Sequence, residues 1–382
     1  MFRSALALAL LLALVALPAE AKENRKKKPS PKAVGEAVGR GADWLRTRFA
    51  KGFETETFHS VPELVVLTLH HAGVDRRDEV YKAGLATIET CPLRHTYRVA
   101  TLAMALSRIN PYKYRARLAH CAQWLVNTQL AEGEWGYPGT MRGRSKQTRA
   151  LEVKPPVTEE EAKGGPKAEP ILIQRTLAVE ELGGQKGDFS NTQYALLGLR
   201  ACRDARIVIP KSTWEAALAY TVDHQLPDGS WGYDHAGERD EGGYASLTAA
   251  GICGVALCQH ALKKSPKSHP AVKKGSAWLK KHWTPDDNAG IEDSTFIPPS
   301  TWHCYHLYSV ERAGRVLGLK KLGKRDWYAQ GAWWLLDNQQ SGGSWNDTRG
   351  DTTATRPPYL QTADTCFAIL FLTLATPPLT GR

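Results

Sequence analysis

Two kinds of apolar pattern alternate along this chain. In one, apolar residues recur at helical spacing with a polar face between them, and nearly every such run carries tryptophan: residues 34–49 (Trp44), 79–90, 114–129 (Trp124), 212–225 (Trp214), 270–283 (Trp278) and 325–340 (Trp327, Trp333, Trp334). In the other, Ala, Leu, Gly and Thr leave almost no polar face, over residues 60–73, 95–109, 190–204, 243–262, 301–313 and 360–375. A helix with a polar stripe belongs at the surface, and one that is apolar all round belongs inside. The pattern predicts an all-α chain of six outer and six inner helices in alternation, with no strand-period segment competing. Ser60-Val-Pro-Glu63, Ser190-Asn-Thr-Gln193 and Ser212-Thr-Trp-Glu215 fit the capping box that opens a helix, and Pro298-Pro299 and Pro357-Pro358 precede the last two inner runs.

Three outer runs end in one phrase, Gln-x-x-x-Gly-x-Trp: Gln129 to Trp135, Gln225 to Trp231 and Gln339 to Trp345. The glutamine can reach backbone groups at a helix end, the glycine permits a tight turn, and the tryptophan packs back across the connection. A phrase recurring at long period marks repeated structural units. Hairpins of about fifty residues, six in all, can close into a toroid of two concentric helix layers, which leaves no terminal apolar face uncovered. The expected toroid domain spans 34–376, with a short tail at 377–382. Residues 138–188 break the rhythm: they are polar, rich in Pro and charge, and without sustained period, so they are expected to bury little and to be dispensable for folding.

The repeated phrase resembles that of the squalene cyclases, and the helix alternation resembles the wider terpenoid cyclase and protein prenyltransferase toroid superfamily. More narrowly, Gly187–Leu199, Tyr308–Gly314 with Asp326-Trp-Tyr328, and Asp364–Leu372 resemble exported bacterial proteins with prenyltransferase/squalene-oxidase repeats. The likeness runs over about residues 35–376 and implies an (α/α)6 toroid; it does not imply one activity, because such folds also serve pure binding.

The cyclase resemblance implies an Asp-x-Asp-Asp acid that protonates an alkene. The chain has none; its nearest cluster, Asp286-Asp287, sits in a loop. The prenyltransferase resemblance implies zinc held by Asp-x-Cys and a histidine, here matched by Asp364-Thr-Cys366 and His303. The order along the chain is reversed from that family's, and an exported chain would not meet its cytosolic partner subunit. The expectation is therefore no metal and no cofactor. The plainer roles are a buried thiol, a carboxylate near a helix N-terminus and a hydrogen-bonded imidazole.

If the inner helices run parallel, their starts gather at one opening. Asp188, Trp302, His303, Tyr305, His306, Asp364 and Cys366 are the expected ligand-binding residues there. The expected ligand is an apolar small molecule or a peptide. An isoprenoid-directed cyclase or transferase is the alternative, as is a glycan hydrolase or lyase using loop carboxylates at Asp188, Asp234, Glu238, Asp240, Glu241, Glu292 and Asp293. Of the twelve tryptophans, all but Trp302 are placed on outer helices, at their ends or in the repeats, which disfavours a sugar platform.

The chain begins with Arg3, an apolar run from Ala5 to Leu17 and Ala19-Glu20-Ala21, the form of a cleavable signal peptide over 1–21. That predicts a secreted or periplasmic protein. Residues 22–33 form a basic tail with six basic and one acidic residue, +5 of the formal +11. The charge is thus a local arm, suited to peripheral contact with an anionic surface, and no nucleic-acid partner is expected. The seven scattered cysteines fall mostly in apolar helices and read as small buried hydrophobes.

Overall fold

A computed structural model describes residues 27–54, 61–137, 153–182, 186–233, 242–291, 302–346 and 358–379. Among them are twelve α-helices: α1 (Pro31–Arg48), α2 (Pro62–His71), α3 (Glu79–Thr90), α4 (Thr96–Ile109), α5 (Arg115–Asn127), α6 (Phe189–Asp204), α7 (Lys211–Asp223), α8 (Ala245–Ala261), α9 (Pro270–His282), α10 (His303–Leu317), α11 (Trp327–Asp337) and α12 (Pro358–Leu372). The expected runs are recovered within a few residues. The even-numbered helices are buried on nearly every face, as α8 is from Ala245 to Gln259, whereas α9 buries one stripe, Ala271, Val272, Gly275, Trp278 and Leu279. The run read at 114–129 departs from expectation: α5 is odd-numbered, yet all of it but Arg117 and His120 is buried.

Each even-numbered helix packs on the next, α2 on α4, α4 on α6, α6 on α8, α8 on α10 and α10 on α12, and α12 packs on α2. The odd-numbered helices lie against these: α3 on α2, α5 on α4 and α6, α7 and α9 on α8, and α1 on α12.

The repeated phrase works identically three times. The tryptophans are buried, and their indole N–H groups donate to the carbonyl ten residues earlier: Trp135 to Leu125 (2.7 Å), Trp231 to Thr221 (2.7 Å) and Trp345 to Leu335 (2.8 Å). Their backbone N–H groups donate to a threonine on the following even-numbered helix, Thr192, Thr248 and Thr365. The glutamine amide spans two units: Gln129 Nε2 donates to Gly133 (2.9 Å) and Thr213 (3.0 Å), Gln225 to Gly229 (2.8 Å) and Ala271 (3.0 Å), and Gln339 to Gly343 (2.7 Å) and Ala37 (2.8 Å). Gly133 has φ +106°, and a Cβ there would meet the Ala216 carbonyl oxygen at 2.3 Å, so the position needs glycine twice over.

The helix starts differ from expectation. Val61 precedes α2, and Glu63 is not a cap: it is buried and paired with Arg98 at 2.9 Å. Asp188 rather than Ser190 caps α6, accepting from Asn191 N at 2.8 Å, and α7 begins after Pro210 with no side-chain cap. Ser60 lies outside the described residues. Asp and Ser cap about equally well; Asp188 takes the position because its backbone is pinned there, Asp188 N donating to Trp135 O (3.0 Å).

Three segments outside the expected helix runs are tied down. The end of the basic tail is helical from Pro31, capped by Ser30, and Trp333 Nε1 donates to the Lys27 carbonyl (2.8 Å). Past α12, Pro377 and Pro378 accept from the guanidinium of Arg200 (2.7 and 2.8 Å), and Arg315 Nε donates to Thr376 (2.9 Å). The described part of the 138–188 excursion buries Ala162, Ile171, Ile173 and Leu182. It supplies β1 (Ile171–Leu172), which pairs in parallel with β2 (Ile207–Val208). Arg115 donates to the Ala162, Glu169 and Ala205 carbonyls, Gln123 to Gln174 (2.6 Å) and Arg175 to Gln129 (2.8 Å). The excursion is thus part of the packed structure; period analysis misses it because its anchors are mostly backbone carbonyls. All seven cysteines are buried and none is bridged.

Candidate functional site

The second and first repeats end in Trp231-Gly-Tyr233 and Trp135-Gly-Tyr137. Both tyrosines are carried to the start of α6, because Asp188 N donates to Trp135 O (3.0 Å) and Phe189 N to Tyr233 O (3.3 Å). Their hydroxyls meet at 3.3 Å. Tyr97, second residue of α4, sets its ring 5.9 Å from that of Tyr137 and 4.7 Å from that of Tyr194 on α6. Tyr305 on α10 closes the group, its hydroxyl 2.6 Å from Ser190 Oγ. Five tyrosines from three buried helices and two repeat loops therefore share one end of the structure. Tyr97, Tyr137 and Tyr233 are half-buried, while Tyr194 and Tyr305 lie deeper.

Burial holds the Tyr97 and Tyr233 phenols above their ordinary value, with Asp188 adding to it; it pushes Tyr137 to about 12, again with Asp188 contributing. Tyr194 is likewise pushed up to about 12 by burial. All four stay protonated at neutral pH and present O–H groups beside aromatic faces.

Behind them sits Arg312 of α10, fully buried. Its guanidinium lies 4.7, 5.3 and 4.5 Å from the ring centroids of Tyr194, Tyr305 and Tyr308. Nη2 donates to Ser309 Oγ at 2.9 Å, whereas Nε and Nη1 meet no acceptor. Phe367 of α12 stacks 5.7 Å from Tyr308. On the adjoining turn Glu311 accepts from Thr376 N (3.1 Å) and Thr376 Oγ1 (2.7 Å), so the segment after α12 closes this region from the other side.

Of the seven sequence-derived site residues, two join this cluster. Asp188 does so as the α6 cap, holding Asn191 N and Asn191 Nδ2 (2.7 Å), and Tyr305 does so directly. His303 packs its ring 4.1 Å from Trp334 of α11, and His306 lies 5.4 Å from Trp283 and bonds Thr284 O at 3.4 Å. Both imidazoles thus pack against tryptophans of α11 and of the end of α9. Asp364 and Cys366 are buried in α12; burial pushes the thiol to about 12, and Thr68 of α2 is its hydrogen-bond partner. Trp302 is 36% exposed, at φ +68°. Among the described residues no three His, Cys, Asp or Glu side chains gather as a metal would require. The loop carboxylates Asp234, Glu238, Asp240, Glu241, Glu292 and Asp293 lie outside the described residues.

Tyr97, Tyr137, Tyr194, Tyr308 and Arg312 escaped sequence reasoning. The twice-repeated Trp-Gly-Tyr was a usable signal, and so was the Glu311-Arg312 pair inside a run read as buried. A separate cleft of about 490 Å³ lies between Gln129, Ile173, Arg175, Pro210 and Ala216. Its polar groups are spent on structure, since Arg175 and Gln129 both bond backbone carbonyls there.

No protein-family description matches this chain, and no curated protein does. Among solved structures, the type II terpene cyclase MstE from Scytonema, without ligand, aligns over 91% of this chain and 98% of its own, at 13% identity and TM-score 0.31. A substituted form of the same cyclase with geranylgeranyl dihydroxybenzoate, its substrate, aligns over 90% and 97%, at 13% identity and TM-score 0.32. At such low superposition scores the architecture of this chain rests on its own contacts.

Proposed function

We propose that this chain is an exported binding protein built as a six-hairpin (α/α)6 toroid, which receives an apolar small molecule at the tyrosine cluster. One observation carries the reading: five tyrosines from α4, α6, α10 and two repeat loops converge, with graded exposure from Tyr97, Tyr137 and Tyr233 inward to Tyr194 and Tyr305. Aromatic faces with hydroxyl edges suit a ligand that is apolar along most of its length. The cyclic succession of buried-helix contacts and the bond from Gln339 to Ala37 support a closed toroid.

Binding is favoured over catalysis by the chemistry of the groups. The chain has no Asp-x-Asp-Asp, Asp188 is engaged as a helix cap, and His303 and His306 pack against tryptophans. Calorimetric titration with decanol tests the reading. Saturable one-to-one binding is expected, weakened by about fivefold or more in Tyr137→Ala and Tyr233→Ala. Signal that never saturates, or affinity unchanged in both variants, would sink it. Export is tested separately by N-terminal sequencing of the chain recovered outside the cytoplasm: a start at Lys22 is expected, and a retained Met1 overturns it.

A further inference from the structure

We propose that the ligand of the tyrosine cluster is an apolar carboxylate, entering with its carboxylate inward to be received by Arg312. The inference rests on the cluster being a ligand site and goes on to specify the ligand's charge.

Arg312 is 0% exposed, and an arginine side chain keeps its proton at any accessible pH. Among the described residues it has no carboxylate salt bridge; Nη2 donates to Ser309 Oγ, the Tyr194 phenol lies within its reach, and Nε and Nη1 meet no acceptor at close distance. Burying an unpaired charge is costly, and a buried arginine normally carries a counter-ion. The rings of Tyr194, Tyr305 and Tyr308 offset part of the cost through their π faces, but rings accept no in-plane N–H. The neighbouring acid, Glu311, is turned away, with both oxygens on Thr376. Burial pushes the Cys253 thiol to about 11, which leaves it neutral beside the guanidinium.

The surround offers no other anion. Gln193 of α6, also buried, is paired with the Cys253 thiol, and that thiol lies beside Arg312 as well. A guanidinium fork with two open nitrogens matches a carboxylate, which accepts two donors in a plane. A single cationic side chain in an aromatic surround fits a monoanion with an apolar body better than a phosphate dianion. Water could occupy the unbonded donors, but it brings no charge.

The test uses the full mature chain and two probes of equal length, decanoate and decanol, with inorganic phosphate as control. Calorimetry should show decanoate binding at least about tenfold more tightly than decanol. In ¹⁵N-labelled protein, the Arg312 Nε–H resonance should shift saturably with decanoate and stay put with decanol. Arg312→Met should erase the preference for decanoate while decanol binding survives. Should that variant fail to fold, the resonance of the unmodified protein decides alone. Equal affinity for the two probes with an unmoved resonance overturns the inference and leaves the tyrosine site standing. If neither probe binds, both readings fall. A shift produced by inorganic phosphate at an affinity equal to decanoate's also overturns it, in favour of a simple anion site.

Discussion

Gln339 Nε2 donates to the carbonyl of Ala37 at 2.8 Å, joining residues 302 apart in sequence. The same amide in Gln129 reaches Thr213, and in Gln225 reaches Ala271. One local phrase therefore ties α5 to α7 and α7 to α9 and, in its last copy, ties α11 back to α1.

Removing this amide should cost more where water cannot replace it. Gln129 is buried and Gln339 half-buried, so Gln129→Ala should lose about 1–3 kcal/mol and Gln339→Ala about 0.5–1.5 kcal/mol. Urea unfolding of both variants measures the difference; a larger loss at Gln339 would mean that closure carries stability beyond its hydrogen bonds.

Gly251 of α8 faces the indole of Trp231, and a Cβ there would lie 2.3 Å from Trp231 Cδ2. Alanine is the better helix former by about 1 kcal/mol, yet overpacking at such a contact costs about 1–3 kcal/mol. Gly251→Ala is expected to lower stability in thermal melts. A rise would show that the tryptophan can shift at little cost.

The excursion should be needed for stability. Replacing 153–182 by a short Gly/Ser linker strips the carbonyl partners of Arg115 at Ala162 and Glu169, the Gln123–Gln174 bond and the strand opposite Ile207. The melting temperature is expected to fall by more than about 5 °C. An unchanged melt would make the segment an appendage.

Glu311 supplies a pH signature. Burial raises its carboxyl from 4.5 to about 8, against the pull of the Thr376 bonds and of Arg315 and Arg312. The folded state then keeps a proton that the unfolded chain releases between those values. This stabilising contribution is full below pH 4.5, shrinks as pH rises, and is lost by about pH 8. Melting temperatures across that range should decline less steeply in Glu311→Gln than in the parent protein. Parallel curves would assign the decline to other groups.

Local chemistry was legible because it is written in side-chain period. The run read at 79–90 is the helix Glu79–Thr90, and the repeat tryptophans are buried as their phrase implied. A single helix cannot say which of its apolar-all-round faces meets which neighbour, so His303 and Cys366 read as mouth residues while their side chains pack on Trp334 and Thr68. The excursion was misread for a different reason: backbone carbonyls accept its anchoring bonds, and every residue carries one, so the sequence holds no mark of them.

The sequence alone determined twelve helices, their order, the burial of the even-numbered ones, and the turn that ends three of them; that α5 is buried as well came only from the structure. Only the tertiary structure decided that Tyr97, Tyr137, Tyr194, Tyr233 and Tyr305 meet, and that Arg312 stands behind them with two unbonded nitrogens. The reason is that helix formation and burial follow from spacing within one segment. The tyrosine cluster is a convergence of segments up to about two hundred residues apart, set by which faces pack and not by any pattern within one of them.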